Sequence, residues 1–276
     1  MKIGFVFTNF NNSHYTREAI ESIILNELYS EAIIVIVDND SEKTEIDLLK
    51  GIKVDFPDIH LILNKVNSGY FNGLNVGLNY LRKNKTNIEY VVIGNNDLLF
   101  PKDFIASIKK NKELFLDYAV ISPNIITLDG KHQNPHLISG LSKFREFIIH
   151  LHFSNYYLGI IIKKMAELTF SFTDRKDEKQ FEIAQTLNQG YGACYILGPL
   201  FFTHFESLWA PTFLMEEEFF LSEQLRKKHL SVYYEPTITL IHQLHATTNK
   251  VPSKKMWKIA RDAHRIYRKY LRTGSL

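Results

Sequence analysis

Short apolar runs alternate with longer segments of helical periodicity through the first half of the chain. Five runs rich in Val and Ile, bounded by Asn, Asp, Gly or Pro, predict strands at 3–8, 32–37, 59–63, 90–93 and 119–122. The segments between them predict helices at 16–28, 42–49, 70–81 and 101–115. This alternation predicts an α/β fold with a mostly parallel, Rossmann-like central sheet flanked by helices.

Polar clusters follow four of the predicted strands. They read Asn-Phe-Asn from Asn9, Asp-Asn-Asp-Ser from Asp38, Asn-Ser-Gly from Asn67 and Asn-Asn-Asp from Asn95. Turn chemistry alone explains any one of them, because Asn, Asp and Gly are the commonest turn residues. Since ligands of parallel sheets collect beyond the carboxyl ends of the strands, the four clusters together predict a binding site.

The tripeptide Asn95-Asn96-Asp97 places one carboxylate where a buried strand meets solvent. A hard divalent cation prefers oxygen ligands and keeps part of its coordination shell for substrate phosphates, so one Asp with neutral neighbours suffices. Taken alone, the tripeptide favours an ordinary turn. With the other clusters, it predicts a metal–diphosphate site.

Glycines at Gly69, Gly73 and Gly77 share one face of the helix predicted at 70–81. They favour close approach of the backbone to the sheet or to a ligand, with Asn67 and Asn75 as polar contacts. The segment matches neither a G-x-G-x-x-G fingerprint nor a phosphate-binding loop, which disfavours a dinucleotide site and a P-loop.

The second half contains an acidic run, Glu216-Glu217-Glu218, at the start of a predicted helix. Acidic residues in a first turn favour the helix dipole, so a well-capped amphipathic helix is one interpretation. The run lies between apolar residues, and desolvation there raises a carboxyl pKa toward the range of a general base. His242 ends a later predicted strand and fits a metal ligand, a diphosphate contact or an ordinary strand-end residue.

In this order, over residues 1–245, the motifs resemble those of the inverting family 2 glycosyltransferases of the GT-A fold. The resemblance is strongest to rhamnosyltransferase-like bacterial enzymes that build surface polysaccharides. It implies a nucleotide-sugar-binding half at 1–125 and an acceptor-binding half at 126–245, with a helical insertion at about 141–172. A C-terminal basic amphipathic helix at 246–276 is appended to this domain.

The resemblance also implies roles for individual residues. The nucleotide-sugar donor, expected to be a UDP- or dTDP-sugar, is contacted by Thr8, Asn9, Asn11, Asp38, Asn67, Gly69, Asn75, Asn96 and Asp97. A divalent metal, Mn²⁺ or Mg²⁺, is held by Asp97 with Asn95 and His242. Glu218, with Glu217 as second choice, is the base that activates a glycan or lipid-linked acceptor in a single inverting displacement.

The segment 206–210 departs from the family's usual Gly-x-Phe-Asp-Glu, so the resemblance does not predict which acceptor this chain would use. A catalytically silent nucleotide-sugar-binding or scaffold protein of the same fold is the alternative function. Retention of Asp97 and the acidic pair argues against it. A nucleotidyltransferase would need a Gly-rich, basic loop after the first strand, which Asn9-Phe-Asn-Asn12 lacks.

Composition indicates the cellular environment and the partners that are disfavoured. The 276 residues contain one cysteine, Cys194, which excludes an internal disulfide framework and favours a reducing, cytoplasmic environment. No apolar run is long enough to cross a bilayer, so any contact with the inner face of the membrane is peripheral. A net charge of +3 and the lack of a base-reading motif disfavour nucleic acid as a partner.

Two segments are candidates for membrane contact. The insertion at 143–172 is rich in apolar residues, and an amphipathic lid packed on the core explains it as well as membrane contact does. The segment 252–272 carries basic residues at helical spacing, namely Lys254, Lys258, Arg261, Arg265, Arg268 and Arg272. This pattern suits anionic lipid headgroups, with a helix packed on its own domain as the alternative.

Overall fold

A computed structural model describes residues 2–84, 87–169, 177–243 and 254–273. Within these residues, nine strands form one sheet in the order β3-β2-β1-β4-β8-β6-β9-β5, with β7 paired to β9. The strands are β1 Lys2–Asn9, β2 Ala32–Asp38, β3 His60–Leu63, β4 Ile88–Asn95, β5 Leu98–Leu99, β6 Val120–Thr127, β7 Gln185–Leu187, β8 Cys194–Leu197 and β9 Val232–His242. The α/β prediction is confirmed.

The N-terminal half of the sheet is parallel. β1 pairs in parallel with β2 and β4, and β2 pairs in parallel with β3. The register sets Asn9 beside Asp38 and Thr8 beside Asn95, so the predicted polar clusters meet at one edge. β8 then runs antiparallel between β4 and β6, and the short β5 runs antiparallel to the end of β9. The pairing of β5 with β9 brings the segment after β4 next to the end of β9.

Helices cover both faces of the sheet. They are α1 Ser13–Ile24, α2 Lys43–Asp55, α3 Tyr70–Asn84, α4 Phe104–Lys110, α5 Leu114–Asp117, α6 Lys143–His152, α7 Tyr156–Thr169, α8 Pro199–His204, α9 Glu217–Arg226 and α10 Lys254–Thr273. The single helix predicted at 101–115 was wrong, because the chain turns between α4 and α5. At that turn the Asn111 N–H bonds to both Ser107 and Ile108 carbonyls.

Alternate residues of β1 supply two cores. Phe5 and Phe7 pack with Phe100 and Phe104 on one face, where ring centroids lie 4.8–6.3 Å apart. Val6 belongs to the cluster on the other face, beneath α3. Each fully buried side chain of this kind contributes about 1.5–3 kcal/mol, so the sheet's central strand is firmly held.

The predicted insertion and C-terminal helix are present as helices. Trp257 of α10 packs against Tyr156 of α7, with ring centroids 5.6 Å apart. Tyr267 packs edge-on against Phe219 of α9 at 4.6 Å. α10 therefore joins the insertion to the acidic helix. The predicted boundary at 245–246 lies outside the described residues, and none of the helices within them is long and apolar enough to span a membrane.

Candidate functional site

A buried polar network joins the ends of β1, β2 and β4. The Asn9 side-chain amide donates to Asp38 Oδ1 at 2.9 Å, and the Ser41 hydroxyl donates to the same oxygen at 2.5 Å. The Asn96 amide donates to Asn9 Oδ1 at 3.2 Å and to the Thr16 hydroxyl at 2.7 Å. All five residues are buried. Because its members satisfy one another, the network rigidifies the edge on which the site is built.

Predicted donor contacts at the first strand end lie around this network. Asn11 has a positive φ of 55°, and its side-chain oxygen accepts from the Glu42 N–H at 2.7 Å. Its own N–H donates to the Ser41 hydroxyl at 2.8 Å. Thr8 is half-buried at the end of β1. Asp38 is fully buried, and its second oxygen accepts from the Ser41 N–H at 3.0 Å, so the structure gives this carboxylate a role in holding the edge together.

Gly69 sits where the α3 loop touches the segment before the acidic helix. Its φ is +89°, and a Cβ there would lie 2.2 Å from the Phe213 carbonyl oxygen, so only glycine fits. Asn67 Oδ1 accepts from the Gly69 N–H at 3.0 Å and shapes the loop. Asn75 bonds through both ends of its amide to the Leu208 backbone, each at 2.9 Å. Asn75 thus ties α3 to the 206–210 segment.

The three predicted metal ligands come together. Asp97 Oδ1 lies 3.2 Å from His242 Nε2, and both side chains are buried. The Asn95 amide nitrogen lies 3.5 Å from the same imidazole nitrogen. Pairing of β5 with β9 sets Leu98 opposite His242, and the Gln243 N–H donates to the Asp97 carbonyl at 3.0 Å. The backbone therefore holds the carboxylate and the imidazole side by side.

This donor set fits a divalent cation that shares its coordination shell with substrate. Among the described residues, no group of three or more His, Cys, Asp or Glu side chains could enclose a metal ion. The Asp97 carboxylate, the His242 imidazole and the oxygen of the Asn95 amide would supply O and N ligands and leave positions for phosphate oxygens and water, as Mn²⁺ and Mg²⁺ prefer.

The acidic run begins α9 after an unusual turn. Met215 and Glu216 both adopt left-handed backbone conformations, with φ of 73° and 66°. Each such residue costs of order 1–3 kcal/mol and persists only where its surroundings enforce it. Glu218 follows, and its Oε1 accepts from the Gly192 N–H at 3.1 Å. A Cβ on Gly192 would lie 2.6 Å from that oxygen, so glycine permits this contact.

Glu217 and Glu218 differ in environment. Glu217 is 5% exposed, and its Oε1 has no hydrogen-bond partner among the described residues. Burial, with a smaller contribution from the charge of Glu218, raises the pKa of Glu217 to about 8. Glu218 is half-buried and receives the Gly192 N–H. At neutral pH, Glu217 thus holds a proton that it would lose in water.

Tyr70 begins α3 and contacts the segment before β8. Its hydroxyl donates to the Gly192 carbonyl at 3.1 Å. Burial raises the pKa of this phenol well above its ordinary value, and the nearby carboxylates of Glu217, Glu218 and Asp97 raise it further. The segment before β8 joins the acidic pair to the Asp97 cluster, because the Gly192 N–H donates to Glu218 and the Ala193 carbonyl accepts from the Asn95 N–H at 2.9 Å.

Several residues of this site were missed by the sequence predictions. Gly192 belongs to Gly190-Tyr191-Gly192, a pair of glycines before the apolar run of β8 that could have marked a close backbone approach. Gln133 Oε1 lies 2.7 Å from His242 Nδ1, and no sequence pattern indicated this contact. Tyr70 was identified only as the start of a helix.

The chain belongs to glycosyl transferase family 2, whose family model matches residues 5–194. The matched region includes the Asn95–Asp97 cluster and Gly192 but ends before the acidic run and His242.

Two solved structures share the fold. The mannosyltransferase PcManGT from Pyrobaculum calidifontis, in complex with GDP-Man and Mn²⁺, is 14% identical with a TM-score of 0.58. The alignment covers 98% of this chain and 64% of that one. GalNAc-T7 with UDP, GalNAc and Mn²⁺ is 13% identical with a TM-score of 0.56, covering 96% and 50% of the two chains. The present chain thus spans 64% of the length of the PcManGT chain and 50% of the length of the GalNAc-T7 chain. Comparison with curated protein sequences finds no match.

Proposed function

We propose that the protein transfers a sugar from a nucleoside-diphosphate sugar to an acceptor hydroxyl in one inverting displacement. The observation that carries this proposal is that two consecutive residues contact both the acidic pair and the Asp97 cluster. The Gly192 N–H donates to Glu218, and the Ala193 carbonyl accepts from the N–H of Asn95, whose side chain lies beside His242 and Asp97. The Asp97 cluster suits a cation at a diphosphate, and the acidic pair suits proton removal from an acceptor.

Asp97, His242 and Asn95 would hold the divalent cation, Mn²⁺ or Mg²⁺. When bound, the cation supplies charge neutralisation for the departing nucleoside diphosphate. The carboxylate of Asp97 is anchored through its backbone to β9, so it holds its position without substrate. The presence of Mn²⁺ with a nucleotide or nucleotide sugar in the structures of PcManGT and GalNAc-T7 supports this role.

Glu218 is our choice for the base. Two neighbouring carboxylates share a site poorly as anions, and burial places the proton on Glu217, whose pKa is raised to about 8. The Gly192 N–H donates to Glu218 Oε1 at 3.1 Å, and such a hydrogen bond favours the carboxylate form that a base needs. Proton transfer by such a base contributes about 10²–10⁴-fold to the rate.

The donor is proposed to be a UDP- or dTDP-sugar. Thr8, Asn11, Asn67 and Asn96 line the strand ends where its nucleoside would lie. The order of motifs supports a rhamnosyltransferase-like enzyme of bacterial surface-polysaccharide synthesis, with a glycan or lipid-linked acceptor.

Calorimetric titration with UDP, dTDP and GDP, each with and without Mn²⁺, tests the donor proposal. We expect metal-dependent binding of one nucleotide, lost in Asp97→Asn. Glu218→Gln should bind that nucleotide normally yet lose turnover by about 10²-fold or more. Unchanged turnover in Glu218→Gln would reject it as the base, and absence of all nucleotide binding would favour a silent scaffold.

We also propose peripheral contact with an anionic membrane through α6, α7 and α10. Phe147, Tyr157 and Ile161 are 59%, 67% and 55% exposed on the α6–α7 hairpin. Lys258 and Arg265 are exposed on α10, whose opposite face packs on the protein. Apolar side chains beside basic ones suit a bilayer with anionic headgroups, where each basic residue contributes about 1 kcal/mol.

Sedimentation with vesicles tests this contact. We expect binding to phosphatidylserine-containing vesicles, weaker binding to neutral vesicles, and loss in the double variant Phe147→Ser/Ile161→Ser. Val54 on α2 is 78% exposed, so Val54→Ser is a matched control that should bind normally. Equal vesicle binding by the wild type, the double variant and Val54→Ser would show that the α6–α7 surface does not contact the membrane.

A further inference from the structure

The imidazole of His242 faces different partners at its two nitrogens. Nε2 points toward Asp97 Oδ1 at 3.2 Å, and Nδ1 lies 2.7 Å from Gln133 Oε1. A side-chain amide oxygen only accepts hydrogen bonds, so the Nδ1 atom must carry a proton. In the neutral ring, Nε2 then carries the lone pair, and it faces a carboxylate oxygen.

Two electron-rich atoms at this distance repel each other unless a proton or a metal ion lies between them. A metal ion bound by Nε2 and Oδ1 removes this repulsion, and Gln133 selects the tautomer that leaves Nε2 open for that bond. With the other tautomer, Nε2–H would simply donate to Asp97, and the ring could not bind metal through that nitrogen. The state of one proton thus decides between a metal ligand and an ordinary hydrogen-bond donor.

Gln133 is held rigidly in this position. Its backbone N–H donates to the Ile125 carbonyl of β6 at 2.9 Å. The next side chain, Asn134, donates to the Ser122 hydroxyl at 2.9 Å and to the Pro123 carbonyl at 2.8 Å. The Gln133 side-chain oxygen therefore reaches His242 from a segment that is hydrogen-bonded to β6.

We infer that Gln133 is a positioning residue that fixes the His242 tautomer and ring orientation for cation binding. This inference rests on the proposed metal role of Asp97 and His242. Outer partners of metal-binding histidines typically contribute about 10–100-fold to metal affinity. Gln133 would act through His242, without touching the cation or the substrate.

Gln133→Leu tests the inference. We expect Mn²⁺ affinity in the presence of UDP, measured by electron paramagnetic resonance, to fall by about 10–100-fold. Gln133→Glu keeps an acceptor at the same place and should retain the affinity. Gln185→Leu makes the same chemical change on β7, beside the other end of β9, and should leave the affinity unchanged.

A metal-free measurement separates this inference from the proposed function. In ¹⁵N-histidine NMR spectra, assigned with His242→Ala, the wild-type ring should carry its proton on Nδ1, and Gln133→Leu should move it toward Nε2. An unchanged tautomer together with unchanged Mn²⁺ affinity in Gln133→Leu would overturn the inference. If wild-type protein binds no Mn²⁺ with UDP, dTDP or GDP while the tautomer still shifts, the metal proposal fails and the positioning of His242 stands.

Discussion

Glu217 carries a proton in the folded protein because its carboxyl group is buried beside Glu218. The unfolded chain releases this proton near the ordinary value of 4.5, whereas the folded protein releases it near pH 8. Between these values the native state binds more protons than the unfolded state. Raising the pH through this window therefore lowers the free energy of unfolding contributed by this group, and the effect levels off above pH 8.

We expect Glu217→Gln to flatten the decline in stability between pH 5 and 8, the window set by the shift from 4.5 to about 8. Urea unfolding at several pH values measures the slope. Glu206 is exposed, so Glu206→Gln is the control and should keep the wild-type slope. A wild-type slope in Glu217→Gln would mean that this carboxyl group is ionised in the folded protein at neutral pH.

Gly192 allows the backbone to approach Glu218. A methyl group there would lie 2.6 Å from Glu218 Oε1 and displace the carboxylate from its N–H partner. We expect Gly192→Ala to reduce turnover by about 10²-fold, since small misplacements of a catalytic group have effects of that size. Nucleotide binding, measured by calorimetry, should remain.

A second glycine supplies the control. Gly51 lies inside α2, and an added Cβ would meet nothing within 4 Å. Gly51→Ala should keep full activity and gain about 0.5–1 kcal/mol of stability from helix propensity. Full turnover in Gly192→Ala would show that the Gly192 contact is dispensable for the chemistry.

The residues at the strand ends could be predicted, because an apolar run followed by turn residues marks the end of a strand within a few positions of sequence. Asn95, Asp97 and His242 were expected to meet, and they do. Gln133 could not be predicted, since its contact with His242 spans 109 positions and depends on how β6 and β9 pair. Nor could the difference in burial between Glu217 and Glu218 be predicted, because α9 packs against α10 and against Gly192, which are distant in the sequence.

At the scale of elements, α9 is held by its neighbours more than by its own sequence. Its first turn follows two left-handed residues, Met215 and Glu216, which no local pattern indicated. Phe219 and Phe220 pack against Tyr267 and Tyr270 of α10, with ring centroids 4.6 and 5.3 Å apart. The C-terminal helix therefore stabilises the strained start of the acidic helix.

Tyr267→Ala should lower the free energy of unfolding by about 3 kcal/mol, because a buried aromatic ring is removed and leaves a cavity against Phe219. Tyr267→Phe keeps the ring and should stay close to wild type. Tyr157 is 67% exposed, so Tyr157→Ala should change stability by less than about 0.5 kcal/mol. Denaturant unfolding compares the three variants, and equal midpoints for the two alanine variants would show that α10 does not support α9.

At the scale of the whole molecule, the site joins distant parts of one sheet. The alternating first half could be predicted as parallel from its pattern of elements. β7, β8 and α8 were missed because they are three to six residues long and lack a full period of either pattern. Without β8, the sequence did not indicate how β6 and β9 join the sheet beyond β4. The pairing of β9 with β5 then places His242 beside Asp97.

This architecture predicts a coupling between ligand binding and global stability. Asp97 follows β4 and His242 ends β9, so the proposed metal with its nucleotide would contact two segments that are far apart in the chain. A ligand that binds only the folded state stabilises it by about 2.7 kcal/mol at about 100 times Kd. For a domain of this size, that free energy raises Tm by about 5–10 °C.

We expect Mn²⁺ and the cognate nucleoside diphosphate together to raise Tm, as followed by differential scanning fluorimetry, and each alone to raise it little. The two ligands stabilise each other because the Asp97–His242 pair leaves coordination positions for phosphate oxygens. Chelation with EDTA should reverse the shift, and Asp97→Asn should remove it while Asp117→Asn, on the remote α5, keeps it. An equal shift with nucleotide alone would mean that the diphosphate is held by the protein's own groups, without the cation.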